Sequence, residues 1–117
     1  MASFEKILAR KDVPVIAIDQ GAVIFHVNTA FRKEYGWKKK ELMGNRIVTI
    51  IPEHMRDAHL IGFSRFVATE QPAILNKHLA LPILCADGTI RQAVHLITGK
   101  KTPQGWRFAA EIRPNDG

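Results

Sequence analysis

The sequence predicts an α+β fold, and three observations carry that prediction. Strand-like segments stand at both ends of the chain, with helical ones between them. The stretch 51–69 reads as one long helix with an apolar face. Asp87-Gly88 divides two long β-rich runs, the strongest two-residue hairpin signal in the chain.

Length and composition narrow the class. At 117 residues the chain is one domain with a single core. Hydrophobic residues make up 46% and charged ones 24%, as in an ordinary soluble globular protein. No apolar run has the length of a membrane span, and residues 1–10 lack the form of a signal peptide. Cys85 stands alone, which rules out an internal disulfide and a cysteine-rich zinc site and fits a reducing cytoplasm. The net charge of +6 is spread out. Its densest runs, Lys38-Lys39-Lys40 and Lys100-Lys101, lack interleaved aromatics, so they read as solvated loop lysines rather than a nucleic-acid surface.

Taken in order, residues 3–10 form a short amphipathic helix with Phe4, Ile7 and Leu8 on one side. Residues 13–19 and 22–28 are strands joined at Gln20-Gly21. Both are apolar on both faces, so the second face of the sheet is covered too, by the N-terminal helix or by a partner chain. Asn28 caps a helix over 29–35, stopped by Gly36. A shorter helix over 37–43 stops at Gly44, and a third short segment, 45–51, leads into the long helix.

In the long helix Pro52 suits the first turn, where a missing N–H costs nothing. Met55, His59, Gly62, Phe63 and Phe66 recur at intervals of three and four and share one face. That face is apolar except for the imidazole, and Gly62 thins it, which would leave room for a guest. A plain core helix with one satisfied histidine would use the same residues. Gln71-Pro72 ends the helix. Strands follow over 74–86, 89–100 and 106–113, the last two joined by the turn Thr102-Pro103-Gln104-Gly105.

Pairing about Asp87-Gly88 sets Cys85 opposite Ile90, Ile83 opposite Gln92, Leu81 opposite Val94 and Leu79 opposite Leu96, all on one face. Leu84, Arg91, His95 and His78 take the other face. Gln92 spoils an otherwise apolar inner face unless a bulge turns it outward. In the last strand Trp106, Phe108, Ala110 and Ile112 alternate with Arg107, Ala109, Glu111 and Arg113.

Several motifs then fall into register: Asn28-Thr29-Ala30-Phe31 before Tyr35-Gly36-Trp37, then Glu41-Leu42-Met43-Gly44, Ile51-Pro52-Glu53 and Asp87-Gly88-Thr89. In this order and spacing the chain resembles the PAS sensor family over residues 12–113. The residues before 12 would be an N-terminal cap and 114–117 a tail. The resemblance implies a PAS fold: a five-stranded antiparallel sheet with helices packed on one face around a small-molecule pocket. It also implies a sensory or dimerisation module, not itself catalytic, attached to an effector such as a histidine kinase, a cyclase or a transcription regulator. Two-component regulation is one setting of that kind. The tail Arg113-Pro114-Asn115-Asp116-Gly117 departs from the Asp-Ile-Thr-like link that often follows the family's last strand.

The residues limit the chemistry. Family members that form a flavin photoadduct carry a cysteine in the segment before the long helix, and residues 44–51 have none. Haem-binding oxygen sensors of the family carry their proximal histidine on the long helix. Arg56-Asp57-Ala58-His59 followed by Ser64-Arg65-Phe66 is similar to that segment, which makes His59 the iron ligand if haem is bound. The residues after the helix, Pro72-Ala73-Ile74-Leu75, lack the further basic or histidine residues of the haem group. The cofactor is otherwise undetermined. His54 and His59 are five apart and do not share a helical face, so they make no zinc pair. Ser64 has no visible base, and no glycine loop cradles phosphate.

The expected site is therefore an apolar pocket lined by Met55, His59, Phe63 and Phe66 from the helix and Leu81, Ile83, Gln92 and Val94 from the sheet. His59 and Gln92 would orient the ligand. A purely structural dimerisation module with a filled core is the rival. Ile16, Ile18 and Ile24 are expected on the sheet face opposite the pocket. With Phe4, Ile7 and Leu8 they would form a homodimer interface or a surface covered by the N-terminal helix.

Overall fold

The computed structural model describes residues 3–70 and 75–115. Strand β1 (Val15–Asp19) reverses at Asp19, whose carboxylate accepts hydrogen bonds from the amides of Gly21 (2.9 Å) and Val23 (3.0 Å). Ala22 takes the left-handed conformation this reversal requires, with φ of 63°. Strand β2 (Ile24–Val27) then pairs antiparallel with β1, with a register shift between Ala17 and Ile18.

Asn28 locks this hairpin to the helices. Its side-chain oxygen accepts from the amides of Phe31 (2.9 Å) and Val15 (3.0 Å), and its amide group donates to the carbonyls of Val13 (2.7 Å) and Arg10 (3.0 Å). One buried side chain thus caps α2 (Thr29–Tyr35) and holds the entry to β1. Helix α2 ends at Gly36 in the left-handed conformation, with φ of 82°. Helix α3 (Lys39–Leu42) and a 3-10 turn (Ile47–Ile50) follow. The long helix predicted over 51–69 opens as a 3-10 turn (Glu53–Met55) behind Pro52 and becomes α-helical as α4 (Arg56–Thr69). The break predicted at Gln71-Pro72 lies outside the described residues.

Strands β3 (His78–Leu84), β4 (Ile90–Thr102) and β5 (Gly105–Pro114) complete a five-stranded antiparallel sheet in the order β2-β1-β5-β4-β3. The last strand lies in the middle, so the first and last strands pair at the centre of the sheet. Helix α1 (Phe4–Leu8), started by Ser3, packs on the outer face.

The long hairpin corrects the predicted register by one residue. Leu84 pairs with Ile90, Ile83 with Arg91, Leu81 with Ala93 and Leu79 with His95. The cause is the turn. The Gly88 amide donates to the Cys85 carbonyl (3.0 Å) and the Cys85 amide to the Thr89 carbonyl (2.8 Å), with Gly88 left-handed at φ of 89°. That is a three-residue loop with glycine after the turn, not a two-residue loop centred on Asp87-Gly88. Because side chains alternate, the slip exchanges the faces of β4. Arg91, Ala93, His95 and Ile97 take the inner face, and Gln92, Val94 and Leu96 the outer.

The parity expected for β1 and β2 is also reversed. Ile16, Ile18 and Ile24 lie inside, at 3%, 8% and 1% exposure, packed in the main core with Phe31, Tyr35 and Ile112. They are not available as a dimer surface. Val15 and Ala17 face outward, where Ile7 (1% exposed) packs on them and on Ala109, flanked by Phe4, Leu8 and Phe25. The small cross-strand pair Ala17–Ala109 lets α1 approach closely. In β2 the register shift lets Ile24 and Val27, three residues apart, both reach the core.

Candidate functional site

Helix α4 does not close down on the inner face of the sheet. Between them lies a cavity with two lobes that share Ile18, Ala58, His59, Ile97 and Phe108. The first lobe measures about 310 Å³ and the second about 560 Å³. Both lie within the range that holds small-molecule ligands.

The first lobe is walled largely by isoleucines, including Ile16 from β1, Ile50 from the 3-10 turn and Ile112 from β5. The second is aromatic. Phe66 meets Trp106 and Phe108 edge-on, with ring centroids 5.1 Å and 5.3 Å apart, and Phe63 meets Phe108 edge-on at 5.5 Å. These contacts tie α4 to β5 and fix the width of that lobe. A Cβ added at Gly62 would meet nothing within 4 Å, so the thinned part of the helix face borders open space.

Two imidazoles supply the polarity of the first lobe. His59 projects from α4 and lies nearly parallel to the Phe63 ring, centroids 6.0 Å apart. Its ring has no hydrogen bond to the described residues. His95 projects from β4 on the facing wall, with Nε2 3.3 Å from the Leu81 carbonyl oxygen. Burial pushes both imidazoles below their ordinary value of 6.5, and the Leu81 carbonyl opposes that push at His95. Both are therefore neutral near pH 7, each with one donor and one acceptor. The second lobe adds Arg65 and Thr69, and neither lining includes a carboxylate.

Of the eight residues expected to bind ligand, Met55, His59 and Leu81 line the first lobe, and His59, Phe63 and Phe66 the second. Ile83 points the same way as Leu81 but is wholly buried in the core beyond the cavity. Gln92 and Val94 are corrected. The register slip puts them on the opposite face, and Gln92 is exposed, its backbone carbonyl accepting from the Asn115 amide at 3.0 Å. The residues that take their place are His95 and Ile97. The signal for them was in the turn, since a three-residue reading of the Asp87-Gly88 loop brings His95 inward.

Cys85 is buried one residue beyond β3 and lines neither lobe. A haem ligated by His59 would find a suitable imidazole. Its two carboxylates would find one cation, Arg65, in the lining, so the residues present do not fit that group. Among the described residues no group of three or more His, Cys, Asp or Glu could hold a metal ion. No described helix is long and apolar enough to cross a membrane.

Comparison with known proteins points to one family. The family model described as the PAS fold matches residues 2–101. A protein of Azorhizobium caulinodans, described as uncharacterized, is 29% identical over 100 residues; the match covers 85% of this chain and 14% of that relative's length. Among solved structures, a PAS domain from Desulfitobacterium hafniense has a TM-score of 0.70 at 23% identity, covering 89% of this chain and 93% of that one. The PAS domain of an HTR-like protein from Haloarcula marismortui has a TM-score of 0.69 at 17% identity, covering 95% and 88%. The LOV protein of Rhodobacter sphaeroides has a TM-score of 0.71 at 13% identity, covering 97% and 66%. At these identities the structural likeness concerns the fold.

Proposed function

This chain belongs to the PAS family, and from that premise we propose that it is a sensory domain that binds a small, mostly apolar molecule between α4 and the sheet. PAS domains are generally sensory and signalling rather than catalytic, and commonly work in dimers or with effectors. The state of the pocket would pass through such a dimer or to an attached effector.

The observation that carries this reading is the two-lobed cavity behind α4. A filled-core dimerisation module would close that space, because unfilled apolar volume costs stability. The lining instead leaves it open, apolar over most of its surface, with His59 and His95 set on facing walls to orient a guest.

Native mass spectrometry of the purified chain tests the proposal. A retained small molecule, displaced when Ala110 in the first lobe is replaced by Phe, supports it. Bare mass under gentle ionisation, with an Ala110→Phe variant more stable than the parent, would favour the filled-core module instead.

A further inference from the structure

We propose that the cavity selects an apolar carboxylic acid over a neutral or cationic molecule of the same shape, with the acid head group at His59 and the apolar body in the isoleucine-walled lobe. This rests on the cavity being a ligand site, as proposed above.

The charge of the lining sets this preference. Strands β1, β3 and β5 and the 3-10 turn present only apolar side chains to the cavity; β4 presents His95; α4 presents His59, Arg65 and Thr69. Among the described residues, every titratable group lining the cavity with His59 is therefore a base, and no carboxylate lines it. Arg65 enters no ion pair among the described residues. An amine entering this space would meet a guanidinium and no counter-charge. An alcohol would satisfy one nitrogen of His59 with a neutral hydrogen bond. A carboxylate gains a charge-assisted bond, about twice as strong, provided the imidazole is protonated.

Protonation is what makes the burial tolerable. A lone carboxylate in an apolar cavity is costly, whereas an imidazolium–carboxylate pair is neutral overall. Burial holds the empty His59 below its ordinary value, and a bound anion raises it. Binding of the carboxylate form therefore draws up to one proton from solvent onto the imidazole; if the acid enters protonated, its O–H proton moves to the ring nitrogen instead. Nothing is oxidised or reduced. Affinity for the carboxylate falls as pH rises through the raised value of the complex, and by linkage the ligand and the proton favour each other.

The test is isothermal titration of the whole chain with octanoate, octanol and octylamine, near pH 6 and near pH 8, in buffers of different ionisation enthalpy. Octanoate is expected to bind about tenfold or more tighter than octanol near pH 6, with measurable proton uptake and a smaller advantage near pH 8. His59→Gln is expected to remove the advantage and the uptake, so that the variant binds octanoate no tighter than it binds octanol. Octanol binding with no gain for octanoate, a gain without proton uptake, or a gain surviving His59→Gln would overturn the acid inference and leave the pocket reading intact. Failure of all three probes to bind would overturn both. If His59→Gln does not fold, proton uptake by the parent chain decides.

Discussion

Ile18 on β1 stands directly opposite Phe108 on β5, and the two side chains form the floor shared by both lobes of the cavity. The pair joins the first hairpin to the last strand where the two lobes meet. Ile18 is 8% exposed, so Ile18→Glu forces a carboxylate into the apolar core. The expected cost is more than about 4 kcal/mol, read as a loss of the urea unfolding transition. A folded variant that had only changed its oligomeric state would contradict the inward placement.

Phe66 is the aromatic residue that joins α4 to both Trp106 and Phe108. Phe66→Ala is expected to lower stability by about 3–5 kcal/mol, as for a buried aromatic cut back to a methyl group. Lys39→Ala, on an exposed position of α3, should stay within about 0.5 kcal/mol. Equal shifts of the urea midpoint in the two variants would mean that the helix face is misassigned.

These residues also mark how far the sequence could be read. Element order, the Asn28 cap, the alternation in β5 and the apolar face of α4 were legible because each has its own local signal. Strand parity was not. Residues 79–84, Leu-Ala-Leu-Pro-Ile-Leu, are apolar on both faces, so nothing in the strand records a slip of one residue. The turn alone decided it, and Asp87-Gly88 suits a two-residue loop as well as the three-residue loop that forms. The same ambiguity hid the parity of β1, where α1 on one side and the core on the other both demand apolar residues. One cue was present: Ala17 and Ala109 are small, as the face beneath a closely packed helix needs to be.

Stability should fall on mild acidification. His59 and His95 are held below 6.5 by burial, and His26 on β2 by burial and then by Lys39. Between the folded and unfolded values the unfolded chain binds more protons. Stability is therefore full above about pH 6.5 and is lost as pH falls through the lower folded values. Glu5, Asp12, Glu70 and Asp87 are shifted down too, chiefly by hydrogen bonds from Lys100, Arg10, Lys101 and Thr89 respectively. Their contribution goes only at lower pH, below the ordinary carboxylate range. Urea midpoints between about pH 7.5 and 5 separate the two windows. The parent midpoint should decline there, and His59→Gln with His95→Gln should flatten most of the decline. A flat parent profile would contradict the buried neutral histidines.

The purified chain is expected to show no strong Soret absorption. The motive is the charge of the lining, in which Arg65 is the one cation for the two carboxylates of a haem. Expression with added haem followed by an absorption spectrum checks this. A stoichiometric band in the parent, lost in His59→Ala, would restore the iron-ligand role of His59.

Helix α1 covers the outer face of the sheet. Ile7 fills the outer face against Val15, Ala17 and Ala109, which alone is worth about 1.5–3 kcal/mol. Arg10, just beyond the helix, pairs at 3.1 Å with Glu111, a carboxylate whose side chain is 6% exposed. Glu5 pairs with Lys100 on β4, so the helix is tied at both ends. Deleting residues 1–10 uncovers the apolar face and leaves Glu111 with Arg113 as its cation partner (3.1 Å). The shorter chain is expected to melt lower and to self-associate more strongly than the full chain, since an exposed patch of this kind recruits a second copy. Sedimentation velocity and thermal melts on both chains decide. A shorter chain that stays monomeric with an unchanged melting temperature would show that the outer face does not need its cover. A full-length dimer that the deletion dissociates would make α1 itself the interface.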